Sequence, residues 1–548
     1  MKATQQTRST ALSRFPAYDL PALSALLALT AGLALRLWML KKFFEVNGDS
    51  LIYGGLAKNL LLHGQYTLTV ASGESYPTLI RLPGYPLFLA ACFRVFGMEN
   101  YVAVCWVEIA LELAGCLLLA DFARRIAPST LRRAATHSTL WLAALCPFTA
   151  SYAAAPLTEA PTLFSIALAL WAAARFRERP GWGSALWFTF AVTFAALLRP
   201  DGALLAVALV PALVFGLWRM KAAGLIDPAT QYCQGAPSFS APFAEKGGKA
   251  MPLSSCRINS THIDQAKSTG TSAPEGGTSQ PFRPGTPSPA AIARMALVCT
   301  LLALAPFAAW TARNWRVFHV FQPLAPRLAT DPGEDTHPGW ERWVKTWCLD
   351  FVSTYNVYWN VPGGPLDLSE LPARAFDSPA QYAETASLAA EYNDSGQLLT
   401  RELDAHFGKL ADQRIAAHPL RFHLWLPLGR MADMWLRPRV ENLPIDLDWW
   451  VYAHHHVETR FSWAYAGLNA LFLLLGIAGL CLRPRFWGAM LAYFLLRSAL
   501  LTTVQAPEAR YTLECFPMLF VLGGIAIAWA RQRMISLRPS KATFIPTK

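Results

Sequence analysis

Apolar residues in this chain come in long runs, not in the alternation of a half-buried strand or the narrow stripe of a surface helix. A helix that crosses a bilayer needs about 20 mostly apolar residues. Stretches approaching that length lie at 20–40, 101–122, 139–156, 161–175, 182–198, 203–219, 294–312, 462–482, 486–504 and 512–530. The pattern predicts about ten transmembrane helices. The first is not read as a cleaved signal peptide. Leu35-Arg36-Leu37-Trp38 continues where small residues would mark a cleavage site, and Lys41 and Lys42 follow.

Basic residues in the short connections set the expected orientation. Arg124, Arg125, Arg132 and Arg133 follow the second run, and Arg175, Arg177 and Arg179 the fourth. Arg219 and Lys221 follow the sixth, Arg483 and Arg485 the eighth, and Arg531, Arg533 and Arg538 the tenth. All fall on one side if both termini are cytoplasmic; Lys41 and Lys42 run against that order. The extracytoplasmic parts are then 41–100, the turns near 157–160, 199–202 and 505–511, and the region 313–461. The expected organisation is an N-terminal membrane core 1–221 with its first outer loop 41–100, a flexible cytoplasmic linker 222–293, a helix 294–312, an extracytoplasmic or interfacial helical region 313–461, and C-terminal helices with a tail over 462–548. The linker expectation rests on Ser, Thr, Gly and Pro without apolar period, as in Gly-Gly-Thr-Ser-Gln-Pro at 276–281.

Composition agrees. Of 548 residues, 53% are hydrophobic and only 15% charged, with a mean hydropathy of +0.27. Soluble domains carry about 25% charged residues, so a soluble enzyme is excluded. With 20 Trp, 31 Phe and 16 Tyr, so is pervasive disorder. The net charge of +12 is a topology signal, since no motif for nucleic acid accompanies it. Cys105, Cys116, Cys146, Cys299, Cys481 and Cys515 lie in apolar runs and read as small core residues, not a disulfide framework.

The first outer loop is the most informative segment. Gly48-Asp49-Ser50 precedes Leu51, Tyr53, Leu56, Leu60 and Leu61 at helical spacing, and Gly64 closes the run. Pro77-Thr78-Leu79-Ile80-Arg81-Leu82-Pro83-Gly84-Tyr85-Pro86 follows, then a short apolar helix ending at Gly97. Two amphipathic helices on the membrane surface fit this pattern. By position alone Asp49 reads as a helix N-cap. Thr158-Glu159, Arg199-Pro200-Asp201, Arg313-Asn314 and Glu508-Ala509-Arg510-Tyr511 also lie at outward ends of runs. Charges beside hydrocarbon need partners, and the gathering favours one shared polar site over paired interface anchors.

The pattern Gly48-Asp49-Ser50-x-x-Tyr53, followed by Arg81-x-Pro83-Gly84-Tyr85-Pro86, resembles the first outer loop of bacterial GT-C glycosyltransferases, the relatives of the protein O-mannosyltransferases and of aminoarabinose transferase. The resemblance extends to Thr158-Glu159, Arg199-Pro200-Asp201, Arg313-Asn314 and Glu508-x-Arg510-Tyr511. It implies an all-α polytopic bundle with juxtamembrane helices and a mostly helical extracytoplasmic cap, in a bacterial inner membrane. It also implies inverting transfer of a sugar from a polyprenyl-phosphate donor to a lipid, glycan or protein acceptor. By resemblance Asp49 is the catalytic base. Arg81, Arg199 and Arg510 are the donor-phosphate ligands, because guanidinium forks match phosphate oxygens. Tyr53, Glu159, Asp201, Asn314, Glu508 and Tyr511 bind sugar or acceptor or orient the arginines.

Other features stand outside this pattern. Arg36, near the outer end of the first span, is read as snorkelling to the interface, in preference to joining the phosphate-binding arginines. Glu108 and Glu112, four apart on one helix face, either neighbour the active cavity or act as protonated structural donors. His454-His455-His456 with Glu458 lacks the spacing of a zinc site, so no metal or other cofactor is assigned. Trp340, Trp343, Trp347, Trp359, Trp425, Trp435, Trp449 and Trp450 are expected at the membrane interface, and 422–436 is expected to lie flat on the bilayer, the alternative being a membrane hairpin that adds two spans. A lipid or glycan transporter or flippase, and a noncatalytic assembly subunit, are the competing readings.

Overall fold

In a computed structural model of the chain, the described residues are 20–46, 48–70, 72–222, 288–326, 329–447, 450 and 456–537. The expected linker 222–293 falls almost wholly outside them, as do both chain ends, Trp449, His454 and His455.

Hydrocarbon offers backbone N–H and C=O groups no partner outside their own segment, so the apolar runs fold as helices. The first half contributes α1 (Leu20–Phe43), α2 (Asp49–His63), α3 (Gly84–Phe96), α4 (Tyr101–Ile126), α5 (Arg132–Ala144), α6 (Pro147–Ala150), α7 (Glu159–Glu178), α8 (Trp182–Leu198) and α9 (Leu204–Ala222). Next come α10 (Pro289–Phe318), α11 (Pro338–Lys345), α12 (Phe351–Ser353), α13 (Pro379–Asp394), α14 (Arg401–Ala417), α15 (Leu426–Leu436), α16 (His456–Cys481), α17 (Trp487–Leu501) and α18 (Phe516–Ser536). The protein is a polytopic helical membrane protein.

Among the described residues, 6 helical stretches are long and apolar enough to cross a membrane: Ala22–Phe43, Tyr101–Ile126, Pro200–Arg219, Pro289–Phe318, His456–Cys481 and Ala509–Ser536. That is fewer than the ten expected. Helices α8 and α17 are apolar but shorter, with 17 and 15 residues. Helix α7 closes on Arg175, Arg177 and Glu178 and is more polar. The run 139–156 is not one helix: α5 stops at Ala144, and the chain resumes as α6 and a 3-10 turn, Ser151–Ala154. Pro147 explains the break, because its ring removes an N–H and clashes with the carbonyl four residues back.

The bundle packs around α18, whose apolar window is 83% buried, whereas the window of α10 is 6% buried and lies at the rim. Small residues bring the backbones together, as expected where lipid gives helices no hydrophobic reason to associate. A methyl on Gly479 would fall 2.0 Å from the Leu522 carbonyl oxygen, and one on Gly524 2.7 Å from the Thr139 amide nitrogen. Helices α16 and α5 therefore touch α18 nearly backbone to backbone.

The segment 48–97 forms its two helices as read. Gly64 caps α2 in the left-handed conformation. A short hairpin not anticipated from sequence, β1 (Thr67–Thr69) against β2 (Ser75–Pro77), joins α2 to the Arg81 loop.

The cap, α11 to α15, has its own core, and here the tryptophan expectation is corrected. Trp340, Trp343 and Trp347 are buried with Phe407 and Tyr392; Trp359 and Trp425 are exposed. Positions 340, 343 and 347 share one helical stripe, and a stripe of that size is worth more buried against α14 than at an interface. Asp404 fixes the contact by accepting from the Gly339 and Trp340 amides at 3.1 and 2.8 Å. Helix α15 leaves Leu428 and Leu436 exposed but turns Arg430 inward, where its Nε donates to the Cys348 carbonyl at 2.8 Å.

Arg36 is also corrected. It is 1% exposed, not snorkelling; its Nε meets Glu112 at 2.5 Å and its Nη1 donates to the Ala144 carbonyl at 2.8 Å. The other carboxylate of that pair, Glu108, accepts from the Tyr85 hydroxyl at 2.7 Å.

Candidate active site

Asp49 opens α2, but the N-cap is Gly48 and no side chain caps the helix. The carboxylate is instead spent on distant arginines. Its Oδ1 lies 2.7 Å from Arg81 Nη2 and its Oδ2 lies 3.3 Å from Arg510 Nη2. A contact across 461 residues of sequence is not capping. Burial works to raise the Asp49 carboxyl, but Arg510 and Arg81 outweigh it and hold the group below the usual carboxylate range.

Each partner is placed by its own backbone. Ser50 Oγ donates to the Pro156 carbonyl at 3.0 Å, docking the head of α2 beside the turn that leads to Glu159. The Arg81 loop is held by Tyr66, whose hydroxyl donates to the Arg81 carbonyl at 3.0 Å. Arg313, at the end of α10, donates to the Thr78 and Tyr66 carbonyls at 2.8 Å each, among the rings of Tyr66, Trp310 and Phe318. Arg510 sits in the 3-10 turn Ala509–Cys515 before α18, where Glu508 bonds both Arg510 and the Tyr511 hydroxyl. Arg439, arriving from the cap side, donates to the Ala509 carbonyl at 2.7 Å and to Thr512.

Two glycines allow these segments to meet. Gly84 begins α3 where an added methyl would lie 2.5 Å from the Leu197 carbonyl oxygen, and at Gly202 it would lie 2.3 Å from that of Ala195. The loop of Arg81 and the turn of Arg199 are thereby pressed against the end of α8.

Behind the Asp49 group lies a second one. Arg199 Nε contacts Glu514 Oε1 at 2.9 Å and Asp201 Oδ1 at 3.4 Å, and its Nη1 contacts Glu159 Oε1 at 3.3 Å. Arg497 meets Glu514 Oε2 at 2.6 Å and Asp201 Oδ2 at 2.9 Å. Arg510 Nη1 reaches Glu159 Oε1 at 3.9 Å and links the two groups. Exposure separates them: the side chains of Asp49, Arg81 and Arg510 are 26%, 22% and 23% exposed, those of Glu159 and Glu514 3%, and that of Arg497 0%.

Of the residues read from sequence, Asp49, Arg81, Glu159, Arg199, Asp201, Glu508, Arg510 and Tyr511 form one connected network. Tyr53 flanks it, its ring centroid 5.8 Å from the Arg81 guanidinium carbon. Burial, opposed by Arg81, pushes the Tyr53 hydroxyl up to about 12, so it stays protonated and can donate. Asn314 does not join. Its amide donates to the Gln322 carbonyl at 2.8 Å and its oxygen accepts from Arg313 at 3.0 Å, so it steadies the anchor of the Arg81 loop. Arg497 and Glu514 were missed by sequence reasoning, although each is an ionisable residue inside an apolar run, which is itself a functional signal. Among the described residues, no group of three or more His, Cys, Asp or Glu side chains could hold a metal ion.

Chemically, the open group offers one ionised carboxylate between two guanidinium forks, bordered by a protonated phenol. It suits a reaction that takes a proton from one partner while negative charge grows on another.

Residues 78–225 match the sequence model of the family described as dolichyl-phosphate-mannose-protein mannosyltransferase. The match includes Arg81, Glu159, Arg199 and Asp201 and leaves Asp49 and Arg510 outside. No curated protein matches. Among solved structures the chain is similar to ArnT from Cupriavidus metallidurans bound to undecaprenyl phosphate. Identity is 13% and the TM-score 0.31, over 92% of this chain and 78% of that one. It is likewise similar to the apo state of the same protein, at 13% identity and a TM-score of 0.30, over 93% and 78%.

Proposed function

We propose that this chain, which the matched stretch 78–225 groups with the GT-C membrane glycosyltransferases, moves a sugar from a polyprenyl-phosphate donor to an acceptor hydroxyl by a single inverting displacement. The observation that carries the reading is Asp49, ionised and held between Arg81 and Arg510 in the accessible part of the network. The donor class is supported by the name of the matching family, which specifies dolichyl-phosphate-mannose, a sugar carried on a lipid phosphate, and by the paired forks.

In this reading Asp49 accepts the acceptor's proton as the acceptor oxygen bonds to the anomeric carbon. The bond from that carbon to the phosphate oxygen breaks, and the departing phosphate gains a negative charge. Arg81 and Arg510 stabilise that charge, since fixed cations aimed at developing charge are the main source of such rate enhancement. At rest the same arginines depress the basicity of Asp49. An arriving phosphate competes for them, so donor binding raises the basicity of the carboxylate when it is needed. Arg199, surrounded by three carboxylates, has few donors to spare and acts as a positioning residue for Glu159 and Arg510. Glu508 orients Arg510 and Tyr511, and Tyr53 borders the sugar. The acceptor is a hydroxyl on a lipid, glycan or protein, and the site belongs on the extracytoplasmic side of a bacterial inner membrane.

The test is Asp49→Asn in reconstituted membranes with a labelled polyprenyl-phosphate sugar. Loss of a general base costs about 10²–10⁴ in rate, while the unfolding midpoint should fall only modestly, with the fold retained. Unchanged transfer would remove Asp49 from the chemistry.

A further inference from the structure

A second basic site lies at the other end of the bundle. Arg125 ends α4, Arg177 ends α7, Arg219 ends α9, and Arg485 precedes α17; together with Glu178 they line a cavity of about 350 Å³. Its floor is apolar, made of Ile126, Ala174, Gly216 and Phe486, all buried. The candidate active site is far from it: α7 carries Glu159 at its head and Arg177 near its end, about 27 Å apart at 1.5 Å per residue.

The charges in this cavity are not balanced. Arg125 pairs with Asp121 and Glu178. Among the described residues, no carboxylate pairs with Arg177, Arg219 or Arg485. Arg177 lies over the Phe486 ring at 5.2 Å, and its stem crosses Gly216, where a methyl would sit 3.6 Å from its Nε. Three guanidinium groups with no carboxylate partner among the described residues surround one apolar floor and repel one another unless an anion joins them. Exposed aromatics at the same helix ends set the depth: Phe215 and Trp218 stack at 5.9 Å near the end of α9, and Trp182 and Trp487 open α8 and α17. Tryptophan at helix ends marks the headgroup level of a bilayer. At that depth the available anion is a lipid phosphate, and an apolar floor beneath a basic rim suits a headgroup whose chains enter the hydrocarbon.

We propose that the cavity between the ends of α4, α7 and α9 and the start of α17 binds the phosphate of an anionic phospholipid through Arg177, Arg219 and Arg485. The site differs from the donor site in location and residues and does not depend on the proposed reaction.

The test uses the purified full chain in detergent, with phosphatidylglycerol, phosphatidylcholine of the same chains, or inorganic phosphate. Native mass spectrometry and the unfolding midpoint report binding. Wild type should retain phosphatidylglycerol in preference to phosphatidylcholine and gain stability from it, while phosphate alone does little. Arg219→Gln with Arg485→Gln, both exposed positions, should weaken retention roughly thirty-fold. The matching pair of Arg→Lys changes should keep most of it. Equal retention of the two lipids, or full retention by the Gln variant, overturns the proposal. Equal stabilisation by inorganic phosphate overturns the lipid source in favour of a soluble anion. The lipid comparison on wild type decides the matter even if a variant fails to fold.

Discussion

The charged network has an open half and a sealed half, and the two obey different rules. Asp49, Arg81 and Arg510 are each about a quarter exposed, with contacts of 2.7 and 3.3 Å that the phosphate of the proposed donor would replace. Arg497 and Glu514 are almost fully enclosed, and Arg497 is gripped by Glu514 and Asp201. Water and substrate can re-solvate charges in the first half if a pair is broken. Nothing re-solvates them in the second, where removing one partner leaves an unpaired charge in low dielectric. The same residue types thus serve as exchangeable ligands at one end and as fixed framework a few ångströms away.

The largest expected effect comes from breaking the sealed half. Glu514→Gln should lower stability by about 3–5 kcal/mol, the usual cost of stripping one partner from a buried pair, read as the unfolding midpoint in detergent. If the protein keeps its stability but loses transfer, the sealed half takes part in the chemistry and the division fails. In the open half, Arg510→Lys keeps the charge and loses the planar fork; turnover should fall about 10²-fold with little loss of stability. A smaller effect appears in acid. The Asp49 carboxyl is held below its unfolded value of about 3.9, so its contribution to stability is complete above that value and lost as the pH falls through the depressed one. The midpoint difference between wild type and Asp49→Asn should therefore stay level from pH 7 to about 5 and shrink below about 4; growth on acidification would mean the shift has the opposite sign. The smallest change belongs to Lys58 and Glu99, 2.9 Å apart and both more than 40% exposed. Lys58→Ala should move stability by less than about 1 kcal/mol, which calibrates the others.

Much of the site was legible because the code for it is local. A carboxylate or guanidinium at the end of an apolar run stands out in one dimension, and Asp49, Glu159, Arg199, Asp201 and Arg510 were all marked that way. What could not be read is which charge meets which. Arg36 looked like an interface residue because nothing near it in sequence announces Glu112, 76 positions away. The partner of Asn314, the Gln322 carbonyl, could not be read either, because it carries no side-chain signature. Arg497 and Glu514 were readable as intruders in apolar runs but were absorbed into the count of spans. One of those runs, 139–156, is divided at Pro147, a break that apolar composition does not report. The tryptophan stripe at 340, 343 and 347 is equally visible in the sequence, where the general preference of Trp for interfaces and the helical period of the stripe point in opposite directions.

The clefts at Gly84 and Gly202 have a practical consequence for engineering. Replacing glycine by alanine is a common route to a sturdier protein, because it restricts the unfolded chain. At these two sites the added carbon would wedge apart strands of main chain already in contact. Enzyme lost that way would retain every ionisable group named above, so a survey confined to charge would pronounce it intact.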